Sequence, residues 1–574
     1  MNRNVESHFS QVPYIDKPRS IFDRSFGHKT SFNVGELVPF YLEQNVLPGD
    51  SFRVETSMVV RLQTLLTPIM DNMMLDTFYF FIPWRLVWSH VREFFGENTT
   101  SAWIQTTPYK IPGISAPTGG FDVGGIADHL GLPVGLNWST TDKACPSALP
   151  FRAYALVCNE FFRDENLTDP LNIPTGDADQ TGTNGSSYIN DVANGGALFK
   201  VAKFHDLFSS CLPAPQKGPA VAITGFSTDD RYIPVGTMSK YHVPLETPSG
   251  SSWPASAGIP EIWSIAGNNN HDKSRMTKNL TTSPYVSSLV DAAITDLSNI
   301  QPFGQNDQFP VNLYADAQAL AGSVTISELR LAFQLQRYYE HLASGGSRYI
   351  EWCKEFFGVV SSDARLQRPE YLGGHRIPIN IREVLNTSQS ATDFLGDTGA
   401  MSVTSDQQDG FVKSFTEHGI ILGLMCVRYD HSFSQGINRE WTRRTLEDQY
   451  NPVFAHLSEA PVYKYEIYAD GNMNNDAVFG YNEAWSSYRY KPDQISGEMR
   501  PGIANTLASW HLGDYYTQAP TLSDAWVRED KSNVDRVLAV TSAVSNQFWA
   551  DIYVKNIATR VMPMYSVPGL IDHF

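Results

Sequence analysis

Side chains able to do acid–base chemistry sit next to each other in this chain, and two His-Asp pairs serve as examples. His205-Asp206 and His271-Asp272 each pair an imidazole with a carboxylate, the partners of general acid–base catalysis. Neighbours along a strand point to opposite faces, so adjacency alone makes neither a dyad, and both are read as structural or surface residues. Asp470–Asp476 (DGNMNND) has the acidic spacing of a calcium loop but lacks the chelating Glu at its twelfth position, so it reads as a turn. The phosphate loop G-x-x-x-x-G-K-[ST], the zinc motif H-E-x-x-H, the nucleophile elbow G-x-S-x-G and the dinucleotide glycine fingerprint are all missing. Cys145, Cys158, Cys211, Cys353 and Cys426 are odd in number, dispersed and without a C-x-x-C pair. That pattern suits buried thiols in a reducing compartment. No catalytic residue, cofactor or metal is expected.

Cations interleaved with aromatic rings are the other candidate chemistry. Tyr488-Arg489-Tyr490-Lys491 has the composition of a surface on which single-stranded bases stack. Arg348, Arg365, Arg368 and Arg376 lie near Tyr349 and Tyr371, and Arg428, Arg439, Arg443 and Arg444 flank Trp441. The same residue types are enriched where protein subunits meet, and for any single residue the interface reading is the stronger. Near the C-terminus, Met562, Tyr565, Pro568, Leu570, Ile571 and Phe574 form an apolar segment that prolines hold extended. It is read as an assembly or docking element.

These residues belong to a chain of 574 with 43 Lys and Arg against 61 Asp and Glu, a net charge of −18. A protein so acidic does not hold nucleic acid by its overall field. Charged residues are 18%, while Trp, Tyr and Phe number 12, 26 and 32; such a chain must bury surface, which excludes general disorder. The first residues lack the apolar core of a signal peptide, and no apolar run approaches the length of a membrane span. Synthesis in a cytoplasm, without membrane insertion, is expected.

Strict alternation marks the elements that must carry these groups. Phe52, Val54, Thr56, Met58, Val60 and Leu62 alternate with polar residues, a half-buried strand. Leu75–Ile82 (LDTFYFFI), Ile420–Arg428, Val462–Tyr468, Val534–Val540 and Gln547–Val554 are further strands. Helical spacing joins Trp84, Val87, Trp88, Val91, Phe94 and Phe95, and also Tyr154, Val157, Cys158, Phe161 and Phe162. Thr325–Ala343 is a third helix, opened by a Thr325/Glu328 capping box and closed by Gly345-Gly346. Two apolar stripes on it predict burial on most sides. Residues 112–148, 170–196, 219–310 and 386–410 read as long loops. A β-scaffold with large insertions follows, not a regular βαβ enzyme.

Read in order, several blocks resemble one family. FDRSFGHKTSFNVGELVPFYLEQNVLPGDSF (22–52), MDNMMLDTFYFFIP (70–83), LPFRAYALVCNEFFRDENL (149–167) and KFHDLFSSCLPAPQKG (203–218) are similar to the major capsid proteins of microviruses, in their gokushovirus branch. SDARLQRPEYLGG (362–374), FTEHGIILGLMCVR (415–428), FGYNEAWSSYRYKP (479–492) and MPMYSVPGLIDHF (562–574) continue the match to the end. The resemblance implies a mainly β protein, a single eight-stranded antiparallel jelly roll of viral capsid type with large loop insertions and several short helices. It implies about sixty copies in a T=1 icosahedral shell around a circular single-stranded DNA genome. Other implied partners are a small basic DNA-packaging protein, an internal scaffolding protein during assembly and a host cell-surface receptor. The implied location is the virion, with assembly in the host cytoplasm.

The expected organisation is an N-terminal arm (1–30), a first part of the shell domain (31–218) and an insertion (219–310). The rest of the shell domain follows (311–574), with a helical insert (325–358) and the tail (562–574). The resemblance places the insertion as a protrusion at the threefold axes that meets the host, with Trp253, Trp263 and Tyr285 as its contact residues. Jelly rolls also serve as lectins and enzymes, so a carbohydrate-binding or hydrolytic β-protein is the competing reading.

Overall fold

The computed structural model describes residues 18–98, 108–221, 326–387, 395–396, 398–471 and 476–566, and the backbone of five strands between 235 and 315. It is mainly β, with antiparallel sheets and few, mostly short helices. The chain divides into two compact units, residues 1–217 with 340–574, and residues 218–339.

Two sheets organise the larger unit. In the first, β1 (Ser20–Asp23) and β2 (Phe26–Phe32) lie end to end along β9 (Phe548–Arg560). Next to β9 comes β4 (Ser51–Leu62), and next to β4 comes β7 (Thr404–Ser414). In the second, the order is β6 (Glu370–Pro378), β5 (Met73–Pro83), β8 (Gly419–Tyr429) and β3 (Val38–Val46). Part of the stretch expected to be an arm is therefore sheet.

The alternation in β4 is realised in full: Phe52, Val54, Thr56, Met58, Val60 and Leu62 are all buried. They face the second sheet, where the Thr56 hydroxyl meets the Tyr79 hydroxyl. The rings of Tyr79 and Phe411 lie 5.4 Å apart across the same gap. Asn556 on β9 donates to the Tyr41 hydroxyl on β3 at 3.0 Å. In β8 every residue but Arg428 is buried, the signature of a strand covered on both faces.

The outer cover of that sheet comes from α1 (Leu149–Val157) and the wider turn that prolongs it, Cys158–Phe162. Tyr154 donates to the Leu37 carbonyl at 2.7 Å. The widened turn brings Phe161 to 4.7 Å from Phe80 and Phe162 to 5.2 Å from Phe78, ring centre to ring centre; such single-turn widenings re-aim side chains.

The long connections fall between particular strands. Residues 84–369 separate β5 from β6, and 430–547 separate β8 from β9. Within them a second, smaller core gathers Phe208, Cys211, Phe433, Val462, Ile467 and Phe479. In the unit 218–339, Glu261–Ala266 and Asn270–Lys278 form an antiparallel pair, and Val235–Thr237 pairs with Leu313–Ala315.

Four expectations need correction. Val534–Val540 is not a strand: Ser532–Val537 is a helix, α3, because Val534 and Val537 bury at helical spacing. Residues 386–410 are not all loop: Thr398–Ser402 and Thr404–Ser414 are strands, polar because β7 ends its sheet with one face outward. Val462–Tyr468 is strand only to Tyr463 and then turns helically. The expected buried helix is α2 (Ile326–Gly345), but Ala343 is its one buried residue, and Ile326, Leu331 and Phe333 are exposed in the single chain. Its expected cap residue Thr325 lies outside the described residues.

Candidate assembly and nucleic-acid surfaces

Most arginines that suggested nucleic acid are bound within the subunit. Asp76, buried on β5, is held from both sides, by Arg376 of β6 at 2.5 Å and by Arg428 of β8. The two guanidiniums stack 4.5 and 4.3 Å from the Phe204 ring centre. Arg348 donates to the carbonyls of Asn159 and Arg163 at 3.0 and 2.9 Å. Arg368 pairs with Asp363 at 3.4 Å and covers the Phe161 ring, and Arg439 pairs with Glu466 at 2.7 Å. Their positive charge is engaged within the subunit, on its own strands and connections.

Tyr488-Arg489-Tyr490-Lys491 falls at the end of the short helix Ser486–Arg489. Arg443 stacks over the Tyr488 ring at 3.8 Å and donates to the Ser487 hydroxyl at 2.5 Å. Rings of Tyr450, Trp485 and Tyr488 meet within 5.6–6.0 Å. Arg489 is paired with Glu483, and Lys491 with Glu440 at 3.7 Å. The four residues do form a surface, with Tyr488 and Tyr490 exposed, but both cations already carry carboxylates.

Of the tail, Met562 and Tyr565 are exposed, while Pro568, Leu570, Ile571 and Phe574 lie outside the described residues. So do Trp253 and Tyr285. Trp263 sits on the strand Glu261–Ala266, in register with Lys273.

Of the acid–base candidates, His271 and Asp272 are neighbours on the strand Asn270–Lys278. Asp206 accepts the backbone N–H groups of Phe208 and Ser209 at 2.8 and 2.6 Å, a turn function. A different ionic cluster lies hidden. Buried His431 reaches Asp514 at 2.9 Å through Nδ1 and Glu529 at 3.1 Å through Nε2. Lys203 stands 3.5 Å from Asp514, Tyr516 donates to Asp514 at 2.7 Å, and Asn533 donates to it at 2.6 Å. Burial alone would lower the imidazole pKa, but the Glu529 and Asp514 carboxylates raise it to about 9. Burial would raise Asp514, but Lys203 and His431 hold it well below the usual carboxylate range. No part of this cluster shows in the sequence, because His431 meets partners 83 and 98 residues away. It is a staple between the end of β8 and the connection that follows.

Among the described residues no group of His, Cys, Asp and Glu is placed to hold a metal ion, and no helix is long and apolar enough to cross a membrane. What the described residues do present is the exposed aromatic surface at Tyr488 and Tyr490.

Comparison with known proteins supplies the family. The family model described as capsid protein (F protein) matches residues 10–570. The capsid protein VP1 of Spiroplasma virus 4 is 37% identical over 551 residues, covering 95% of this chain and 94% of that protein. That of Chlamydia phage 1 is 36% identical, covering 99% and 98%, and that of Bdellovibrio phage phiMH2K is 36% identical, covering 100% and 99%. A structural role follows, not an enzymatic one. With relatives at that identity along its whole length, all from the gokushovirus branch of the microviruses, the chain belongs to the capsid protein (F protein) family.

Proposed function

We propose that this chain is the major capsid subunit of a T=1 icosahedral shell, about sixty copies enclosing a circular single-stranded DNA genome. The single observation that carries the reading is strand order. Counting β1 and β2 as one broken strand, eight long strands lie in two facing sheets, in the chain order first-eighth-third-sixth and fifth-fourth-seventh-second. That interleaving supports the reading of an eight-stranded jelly roll of the viral capsid kind. Its corners carry the long insertions, between the fourth and fifth strands and between the seventh and eighth.

Residues 219–310 form an outward protrusion at the threefold axes that meets a host cell-surface receptor, through Trp253, Trp263 and Tyr285. Support comes from the separate compact unit that contains this segment and from its aromatic content. The tail 562–574 acts as the assembly element. Each subunit adds −18 to a particle whose DNA is itself negative, so a small basic packaging protein shares the interior. An internal scaffolding protein guides assembly in the host cytoplasm.

The experiment replaces 219–309 with a short Gly/Ser linker in recombinant particles. Particles that form normally but no longer adsorb to host cells agree with the proposal. Adsorption equal to wild type refutes the attachment role, and failure of intact chains to form closed particles refutes the shell role.

A further inference from the structure

The lobe between β8 and β9 presents an apolar surface that the fold leaves open. Trp441, Leu446 and Val453 are 82%, 81% and 82% exposed. Contacts of their chain neighbours tie the segments that carry all three to residues 485–491. Trp441 ends the turn Arg439–Trp441, whose Glu440 pairs with Lys491 beside Tyr490. Leu446 closes a turn onto Gln449, which accepts from the Tyr488 hydroxyl at 3.2 Å. Val453 precedes Phe454, whose carbonyl accepts from the Trp485 indole at 2.9 Å.

The patch is also held in an unfavourable backbone shape. Trp485 has φ of +68°, a left-handed conformation that a bulky residue adopts at a cost of about 1–3 kcal/mol. The indole hydrogen bond and the Tyr450 and Tyr488 rings keep it there.

We infer that this patch, centred on Trp441, Leu446 and Val453, is a contact between copies of this chain in the shell. The inference rests on the shell reading above. Two observations select a second copy over nucleic acid. The two cations of the aromatic segment are already matched, Arg489 by Glu483 and Lys491 by Glu440, and Arg443 is laid over the Tyr488 ring, so these three offer little to replace the counterions of a phosphate backbone. Two copies of −18 repel, and a charge-balanced aromatic surface is where they approach most easily. Aromatic residues with few net charges are the composition of subunit interfaces, and exposed apolar patches of this kind are rare on free monomers.

The test uses the full chain and DNA-free recombinant particles. Hydroxyl-radical footprinting compares Trp441 oxidation in free subunits and in those particles, and strong protection in the particle is expected. In parallel, the double variant Trp441→Asp, Val453→Asp should keep the wild-type circular dichroism. It should need about tenfold or more subunit concentration to form particles. If wild-type chains form no particles, the shell reading falls, and this inference with it. Three results overturn the inference alone: Trp441 equally oxidised in both states, protection seen only in DNA-filled particles, or wild-type assembly by the variant. The footprint decides even if the variant misfolds.

Discussion

Replacing His431 with Gln should destabilise the free subunit by about 3 kcal/mol near pH 6 and by much less above pH 9. In the native subunit the imidazolium lies between Asp514 and Glu529 with both ring nitrogens donating. Its pKa rises from 6.5 to about 9 despite burial, because two carboxylates face it. At about 1.4 kcal/mol per pH unit, that rise is worth about 3 kcal/mol. Removing one member of a buried ionic group independently costs about 3–5 kcal/mol. The sign follows from the raised pKa: the contribution is complete below pH 6.5 and fades as pH climbs to about 9. Urea unfolding of wild type and His431→Gln, followed at pH 5.5, 7.5 and 9.5, measures the difference. It should shrink steadily across that series. A difference that stays constant with pH, or that is absent at pH 5.5, would refute the reasoning.

Asp76→Ala should cost about 3–5 kcal/mol, since it strands Arg376 and Arg428 beside Phe204; urea midpoints check it, and a change below 1 kcal/mol, roughly that of a surface pair, would contradict it. Leu422→Ala on β8 should cost about 2–5 kcal/mol, because the side chain is fully buried in a strand covered on both faces. Truncation after Arg560 keeps all of β9 and should leave soluble, folded protein that no longer forms particles, as sedimentation would report. DNA-filled virions should contain a small Lys/Arg-rich protein, visible on a denaturing gel, and its absence would count against the charge argument.

Strands announced themselves in the sequence where one face or both were buried. The Phe52–Leu62 alternation and the unbroken apolar run of Ile420–Val427 each signal a different kind of cover, and both lie in the core. Strand β7 was hidden because Thr404, Ser405, Asp406 and Gln407 look like a loop, and only pairing with β4 makes them sheet. At Val534 the same apolar spacing suited strand or helix, and tertiary packing chose helix. Helix α2 was legible as a helix but not in its exposure, since apolar stripes do not reveal whether their cover comes from the same chain. Of the candidate surfaces, the aromatic and cationic composition around Tyr488 was visible, while the carboxylates that neutralise it, Glu483 and Glu440, could be assigned only in three dimensions. The His431 cluster gave no local signal at all.

The most direct test of the account is electron cryomicroscopy of particles assembled from the purified full-length chain. Closed icosahedral T=1 shells are expected, built from about sixty copies, with each subunit's two sheets interleaved as first-eighth-third-sixth and fifth-fourth-seventh-second. Monomers or open sheets under all assembly conditions, or shells of a larger triangulation number, would contradict it.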